Sequence, residues 1–206
     1  MFTANIVVTD KSILIGNISY QITGILPFTE SPFSTIGNDW SVPQTILTEA
    51  QISQFNSIGK KIGKKMQKDG WKGLFGIDVI YNEEKDQLYL IEINPRQPAS
   101  TTYESELQRQ VDPKGLTIFQ AHLNALLELP ISTPLTLVND GAQIIQRVTS
   151  KGTTVDESGL IQAGYKVIRY SNTKLNADLL RIQSSKGIME THNKFNGRGK
   201  EILALA

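Results

Sequence analysis

The chain has 206 residues, 39% hydrophobic and 20% charged, which is enough apolar material for a packed core and argues against disorder. Lys plus Arg number 21 and Asp plus Glu 20, so charge makes no case for nucleic acid or an anionic membrane as partner. The absence of cysteine rules out disulfides, thiolate metal sites and a cysteine nucleophile, and two histidines, His122 and His192, are too few for a histidine-rich zinc site. The N-terminal MFTANIVVTDKS lacks the basic stretch and apolar core of a signal peptide, and no run reaches the ~18 apolar residues of a membrane span. A soluble, cytoplasmic protein is the expectation.

In chain order, residues 4–9 and 12–24 read as strands around an Asp10-Lys11 turn, with patchy period-two apolarity at Ile13, Ile15, Ile18, Tyr20 and Ile22. Residues 25–47, punctuated by Pro27, Pro32, Gly37 and Pro43, read as a loop. Thr48-Glu49-Ala50-Gln51 matches a capping box and opens a helix whose apolar stripe is Ile52, Phe55, Ile58, Ile62 and Met66. Lys60, Lys61, Lys64, Lys65 and Lys68 sit in its last turns, where cations complement the helix dipole, and Gly70 is placed to stop it. That lysine run reads as a solvated helix end before it reads as a phosphate patch. Residues 74–81 and 87–94 are two further strands, the second ended by Pro95. Residues 115–129 read as an amphipathic helix with Leu116, Phe119, Leu123 and Leu126 on one side and His122 as a packing or exposed residue. Beyond Pro130, short strands are predicted at 134–138, 142–148, 165–170 and 178–183, separated by Asn-Asp-Gly, Ser150-Lys151-Gly152-Thr153 and Ser-Asn-Thr segments. Gly197-Arg198-Gly199-Lys200 lacks the spacing of a phosphate-binding loop and reads as a turn. The expected fold class is α+β: an antiparallel β-sheet packed by helices over 1–130, with a small β-rich region over 131–206.

The chemistry concentrates in the hairpin. With Glu84-Lys85-Asp86 as a three-residue loop, Asp78 falls opposite Glu92, Ile80 opposite Leu90 and Gly76 opposite Asn94. Period two then puts Asp78, Glu92 and Asn94 on one face, and Phe75, Ile77, Val79, Tyr81, Tyr89, Ile91 and Ile93 on the other as a core. Two carboxylates directly across a ladder repel each other. A divalent cation offsets that repulsion, and carboxylate plus amide oxygens suit magnesium, which also takes oxygens from phosphates. Arg96 can bring a planar guanidinium beside the site. Acids facing solvent on a hairpin give the same pattern without any metal.

Asp78 followed, after a turn, by Glu92-x-Asn94-Pro95-Arg96 resembles the metal-binding strand pair of the ATP-grasp superfamily, in its carboxylate-amine ligase branch. The resemblance extends from Phe2-Thr3-Ala4-Asn5, through Pro27-Phe28 and Val42-Pro43, to the helix ending near Leu129. It implies that residues 1–130 are the C-terminal half of an ATP-grasp domain, and that 131–206 form a small tail. It implies that Asp78, Glu92 and Asn94 hold one or two magnesium ions (manganese also fits) against the phosphates of ATP, and that Arg96 stabilises the reacting phosphate. The implied reaction is phosphorylation of a substrate carboxylate to an acyl phosphate, captured by an amine or other nucleophile. The alternative is an ATP-grasp-like module that holds nucleotide without ligation. Gln97, Ser100, Thr101 and Thr102 follow Arg96 in a loop and are candidate substrate contacts, each more simply read as loop polarity. Two departures stand out. Gly76 occupies a position where several branches carry a basic residue, and the family's lysine-bearing, adenine-binding half falls outside these residues. The expected partners are therefore that N-terminal half and small-molecule carboxylate and nucleophile substrates, with no nucleic acid and no membrane; a homodimer is compatible. The chain alone is expected to be inactive.

Overall fold

The computed structural model describes residues 1–150, 152 and 154–206; Lys151 and Thr153 of the predicted 150–153 separator lie outside the described residues. In chain order the elements are β1 Phe2–Val8, β2 Ile13–Ile15, β3 Ser19–Thr23, β4 Thr35–Asp39, α1 Val42–Ile46, α2 Glu49–Lys68, β5 Gly73–Asn82, β6 Gln87–Asn94, α3 Thr101–Val111, α4 Ile118–Leu126, β7 Ala142–Arg147, α5 Glu157–Gln162, β8 Lys166–Arg169, β9 Asp178–Ser184, β10 Met189–Thr191, β11 Lys194–Phe195 and α6 Gly197–Leu205. The architecture is α+β, dominated by antiparallel strands with helices packed on them. Two compact units form: Met1–Ser19 with Pro43–Asn139, and Tyr20–Val42 with Asp140–Ala206.

In the first unit the strand order is β6-β5-β1, with β2 also paired to β1, all antiparallel. One face carries Phe2, Ala4 and Ile6 of β1 opposite Val79, Ile77 and Phe75 of β5, every one of them buried. Helix α2 crosses this face. Its capping box forms as the sequence predicts: Thr48 Oγ accepts from the Gln51 N–H, and Gln51 Oε1 accepts from the Thr48 N–H at 2.8 Å. Two glycines that the apolar stripe omits set the helix–sheet distance. A Cβ on Gly59 would lie 3.0 Å from Ile6 Cδ1, and one on Gly63 would lie 2.5 Å from Ile13 Cγ2. Phe55 is fully buried, whereas Ile52, Ile58, Ile62 and Met66 flank the contact half-buried. The opposite face gathers Val7, Leu74, Leu116, Ile118, Ala121, Ala125 and Leu135 into a second cluster beneath α4.

In the second unit the order is β3-β4-β7-β9-β8, again antiparallel. Strand β4 and the whole of α1 fall in the segment, 25–47, expected to be a loop. Gly37 lies within β4 because its neighbour comes too close for a side chain: a Cβ there would meet the Gln143 carbonyl at 2.1 Å. The strand pairs with β3 on one side and, on the other, with β7 more than a hundred residues away, and its Gly37 and flanking prolines hide both pairings from a local reading. The predicted strands at 142–148, 165–170 and 178–183 form, whereas 134–138 contributes only a single bridge, Leu116 to Leu135. Gly197 opens helix α6 behind the Asn196 cap, and is not in a turn.

The predicted helix over 115–129 is shorter and faces differently. Ile118, Ala121 and Ala125 are its buried side, while Phe119, Leu123 and Leu126 are 39–52% exposed. Small alanines let α4 sit against Val7 and Leu74, which a search for large apolar residues overlooks. Helix α3, whose apolar content is low, has no counterpart among the predicted elements.

Replacing Phe55 by alanine removes the largest side chain that α2 buries, and the expected loss is about 3–5 kcal/mol of unfolding free energy. Chemical denaturation of wild type and Phe55→Ala checks this; a loss below about 1 kcal/mol contradicts the packing described.

Candidate functional site

Strands β5 and β6 pair with Gly76 opposite Asn94, Ile77 opposite Ile93 and Asp78 opposite Glu92. The predicted register therefore holds where the acids lie. It fails nearer the turn. A bulge between Asp78 and Val79 places Ile91 without a partner, after which Val79 faces Leu90 and Ile80 faces Tyr89. The turn is accordingly one residue longer than predicted, with Asn82 paired to Gln87 and Asp86 in the left-handed region at φ 49°. The bulge moves Tyr89 to the face that carries the acids. Strand β6 is also the edge of the sheet, so Tyr89, Ile91 and Ile93, expected in the core, are 41%, 54% and 38% exposed. Only Leu88 of that strand is buried.

On the site face Asp78 is buried to 8% exposure beside Thr3 of β1, while Glu92 is exposed. Neither carboxylate is within salt-bridge distance of a Lys, Arg or His side chain among the described residues, and the partly buried Met1 α-ammonium is a positive group that feels the Asp78 charge. Asn94 Nδ2 donates to Asp78 Oδ2 at 3.0 Å, which leaves Asn94 Oδ1 toward Arg96 Nη2 at 3.4 Å. A half-turn of this amide exchanges donor for acceptor and adds a third oxygen beside the two carboxylates. No group of three or more His, Cys, Asp or Glu side chains suited to a metal occurs among the described residues. The oxygens this face brings together are two carboxylates and an amide, a set whose chemistry fits magnesium better than a nitrogen- and sulfur-lined zinc cage. Arg96 is exposed; its backbone N–H donates to the Asn94 carbonyl at 2.8 Å, and Nη1 reaches the Gln97 carbonyl at 3.4 Å. Gly76 has a steric reason to lack a side chain: a Cβ would lie 2.7 Å from Pro98 Cγ, so the chain after Arg96 folds back over this position.

Two features escaped the sequence. Ile80 and Tyr89, cross-strand neighbours on the acid-bearing face, form an exposed apolar pair next to Asp78; the bulge that creates it has no sequence signature. Behind the site lies a buried polar network. Glu104 of α3, fully buried, accepts from Asn5 Nδ2 at 2.6 Å, the Asn17 backbone N–H at 2.7 Å and Asn17 Nδ2 at 3.0 Å. Asn5 also receives the Thr101 hydroxyl on Oδ1 at 3.3 Å and meets Ser100 Oγ at 3.1 Å. Ser100 and Thr101, two of the four expected substrate contacts, are therefore buried and engaged, and Thr101 and Thr102 belong to α3 and not to a loop. Gln97 and Thr102 are exposed. His122 packs as expected, its Nδ1 accepting from the Leu74 N–H at 3.0 Å, and burial lowers its pKa.

The strand pair and the surrounding α+β fold can be set beside known proteins. A model of the ATP-grasp domain family matches residues 37–100, about a third of the chain. Carboxyaminoimidazole ribonucleotide synthase from Aspergillus clavatus, complexed with ATP, superposes with a TM-score of 0.62 at 17% identity, over 99% of this chain and 48% of that one. Phosphoribosylaminoimidazole carboxylase ATPase subunit from Aquifex aeolicus gives 0.64 at 13% identity, over 99% and 58%. Glycinamide-RNase-transformylase T from Mycobacterium tuberculosis gives 0.59 at 16%, over 98% and 54%. The chain spans about half the length of these structures. No curated protein sequence matches it, and no helix among the described residues is long and apolar enough to cross a membrane.

Burial pushes the Glu104 carboxyl up to about 7, against the three N–H donors that favour its ionised form. Unfolded, the group ionises near its ordinary value of 4.5. The folded state then holds a proton that the unfolded state has lost, so the stabilisation is complete below about 4.5 and disappears as pH rises through about 7, a swing of about 3 kcal/mol. Thermal unfolding of wild type and Glu104→Gln between pH 4 and 8 should show this slope in the wild type and its loss in the variant; parallel profiles contradict it.

Proposed function

We propose that this chain is the metal- and phosphate-binding part of an ATP-dependent carboxylate–amine ligase. The observation that carries the reading is the direct opposition of Asp78 and Glu92 across the β5–β6 ladder, with Asn94 on the same face and Arg96 two residues beyond. Opposed like charges cost the sheet roughly 0.2–1 kcal/mol, and a divalent cation turns that cost into affinity. Asp78, Glu92 and Asn94 are the residues that hold magnesium or manganese; when bound, the metal neutralises charge on the phosphates of ATP. Arg96, exposed and held only by long contacts, is free to give its planar donors to the transferring phosphate. Ile80 and Tyr89 offer an apolar surface to the purine. The substrate carboxylate is phosphorylated to an acyl phosphate, and an amine displaces the phosphate.

Two facts support a partner segment that completes the nucleotide site. The chain matches about half of each ATP-grasp structure compared. Strand β6, with Leu90, Ile91 and Ile93 all more than a third exposed, is an apolar sheet edge of the kind that proteins normally cover. The completing segment lies outside these 206 residues, in the same polypeptide or another.

Phosphate release from ATP tests the reading. The chain alone should release negligible phosphate. Supplied with the N-terminal half of an ATP-grasp domain, it should release phosphate only when both a carboxylate and an amine are present, and Arg96→Ala should slow that release by about 10²-fold, the scale of losing one charge-stabilising donor. Nucleotide binding without any carboxylate-dependent release would instead indicate a non-catalytic module. Robust turnover by the 206 residues alone contradicts the partner segment.

A further inference from the structure

Arg96 has few contacts of its own, yet the segment that carries it is anchored from behind. Asn5 of β1 lies opposite Gly76, and Gly76 opposite Asn94, so all three share one row across the sheet, adjacent to the Asp78–Glu92 row. Pro98 packs over Gly76 in that row. Two residues later the chain is tied down: the hydroxyls of Ser100 and Thr101 meet the Asn5 amide, and the Thr101 N–H donates to the Pro98 carbonyl at 3.2 Å. What orients that amide is Glu104. Both of its carboxyl oxygens accept from N–H groups, so they draw the Nδ2 groups of Asn5 and Asn17 toward Glu104 and turn both Oδ1 atoms away. Asn5 Oδ1 is thereby presented to Thr101, and Asn17 Oδ1 to the Val138 N–H at 2.7 Å. Asn5, Asn17, Ser100, Thr101 and Glu104 are each at most 8% exposed, so water cannot substitute for a lost partner cheaply.

We propose that Glu104 is a positioning residue for the phosphate site: by fixing the Asn5 amide it seats Pro95–Thr101, and with it Arg96, beside Asp78, Glu92 and Asn94. This rests on the reading of those residues as a metal–phosphate site. Glu104 itself touches neither metal nor phosphate. Its effect passes through one amide and two hydroxyls, in the way that buried partners commonly orient the groups that bind.

The test uses the full 206-residue chain and two variants. Ser100→Ala/Thr101→Val cuts the tie and leaves Glu104 bonded to Asn5 and Asn17; Glu104→Gln removes the group that orients the amide. Two quantities are read: amide hydrogen exchange, residue by residue, and calorimetric binding of magnesium tripolyphosphate, the phosphate part of the nucleotide. In both variants the Arg96 and Thr101 amides should exchange at least about tenfold faster, while Ile144 and Ile182 in the β7–β9 pairing keep wild-type rates. Tripolyphosphate should bind about tenfold more weakly, approaching Arg96→Ala. A merely structural role predicts a lower melting temperature with faster exchange spread through the first unit and unchanged tripolyphosphate affinity, and that result overturns the proposal. If wild type binds tripolyphosphate and the variants bind it equally well, the site reading stands and the positioning role alone fails. If wild type does not bind it, the site reading fails and the proposal falls with it.

Discussion

Two like charges placed face to face across an antiparallel ladder are the constraint on which the rest depends. Asp78 and Glu92 are paired by the same hydrogen-bond register that aligns Ile77 with Ile93 and buries Phe75, Ile77 and Val79 under α2. Strand β5 is itself fixed by β1, through Ile6 to Phe75, Ala4 to Ile77 and Phe2 to Val79, so the face of Asp78 is set by the core. Strand β6 keeps its register along β5 from Gly76–Asn94 to Asp78–Glu92 and takes up the mismatch with the turn in the bulge at Ile91. The acids therefore stay opposed at a repulsion of at most about 1 kcal/mol, and on the proposed reading a divalent cation would relieve it.

The surroundings follow from that arrangement. The chain leaves β6 at Pro95, doubles back with Pro98 against the bare backbone of Gly76, and enters α3. A side chain at position 76 would hold Pro98 off the sheet, so the glycine that departs from the pattern of several ATP-grasp branches is accounted for by packing. On the far face Gly59 and Gly63 let α2 approach β1 and β2 closely enough to bury Phe55 and Ile6 completely. Both sides of the sheet rely on missing side chains for contact, and both leave β6 as an open edge.

Much of this was legible in the sequence where the signal is local. The Thr48–Gln51 capping box, the strands flanking Asn82–Asp86 and the opposition of Asp78 to Glu92 follow from propensity and period. What escaped depends on partners distant in the chain. Strand β4 is held between β3 and the distant β7, where Gly37 meets Ile144, and its glycine breaks the apolar alternation that would have reported it. The bulge at Ile91 is a compromise between register at the acids and the turn at Asp86, so the face of Tyr89 could not be read from alternation alone. The edge position of β6 left Ile91 and Ile93 exposed although their residue types promised a core. Helix α4 presents alanines where leucines looked like the buried stripe. Ser100 and Thr101 read as loop polarity because their partner, Asn5, lies 95 residues or more away.

The central claim is that the Asp78–Glu92 pair is a cation site and not a structural pair, and melting temperature with and without magnesium tests it most directly. Asp78→Asn removes one of the two opposed charges while its remaining oxygen can still accept from Asn94. Without metal the variant should melt at the same temperature as wild type or slightly higher, in line with the roughly 0.2–1 kcal/mol of relieved repulsion. Magnesium should raise the wild-type midpoint and leave the variant nearly unmoved, because binding to the folded state alone stabilises it by mass action. A variant clearly less stable than wild type without metal, with both proteins indifferent to magnesium, would contradict the account.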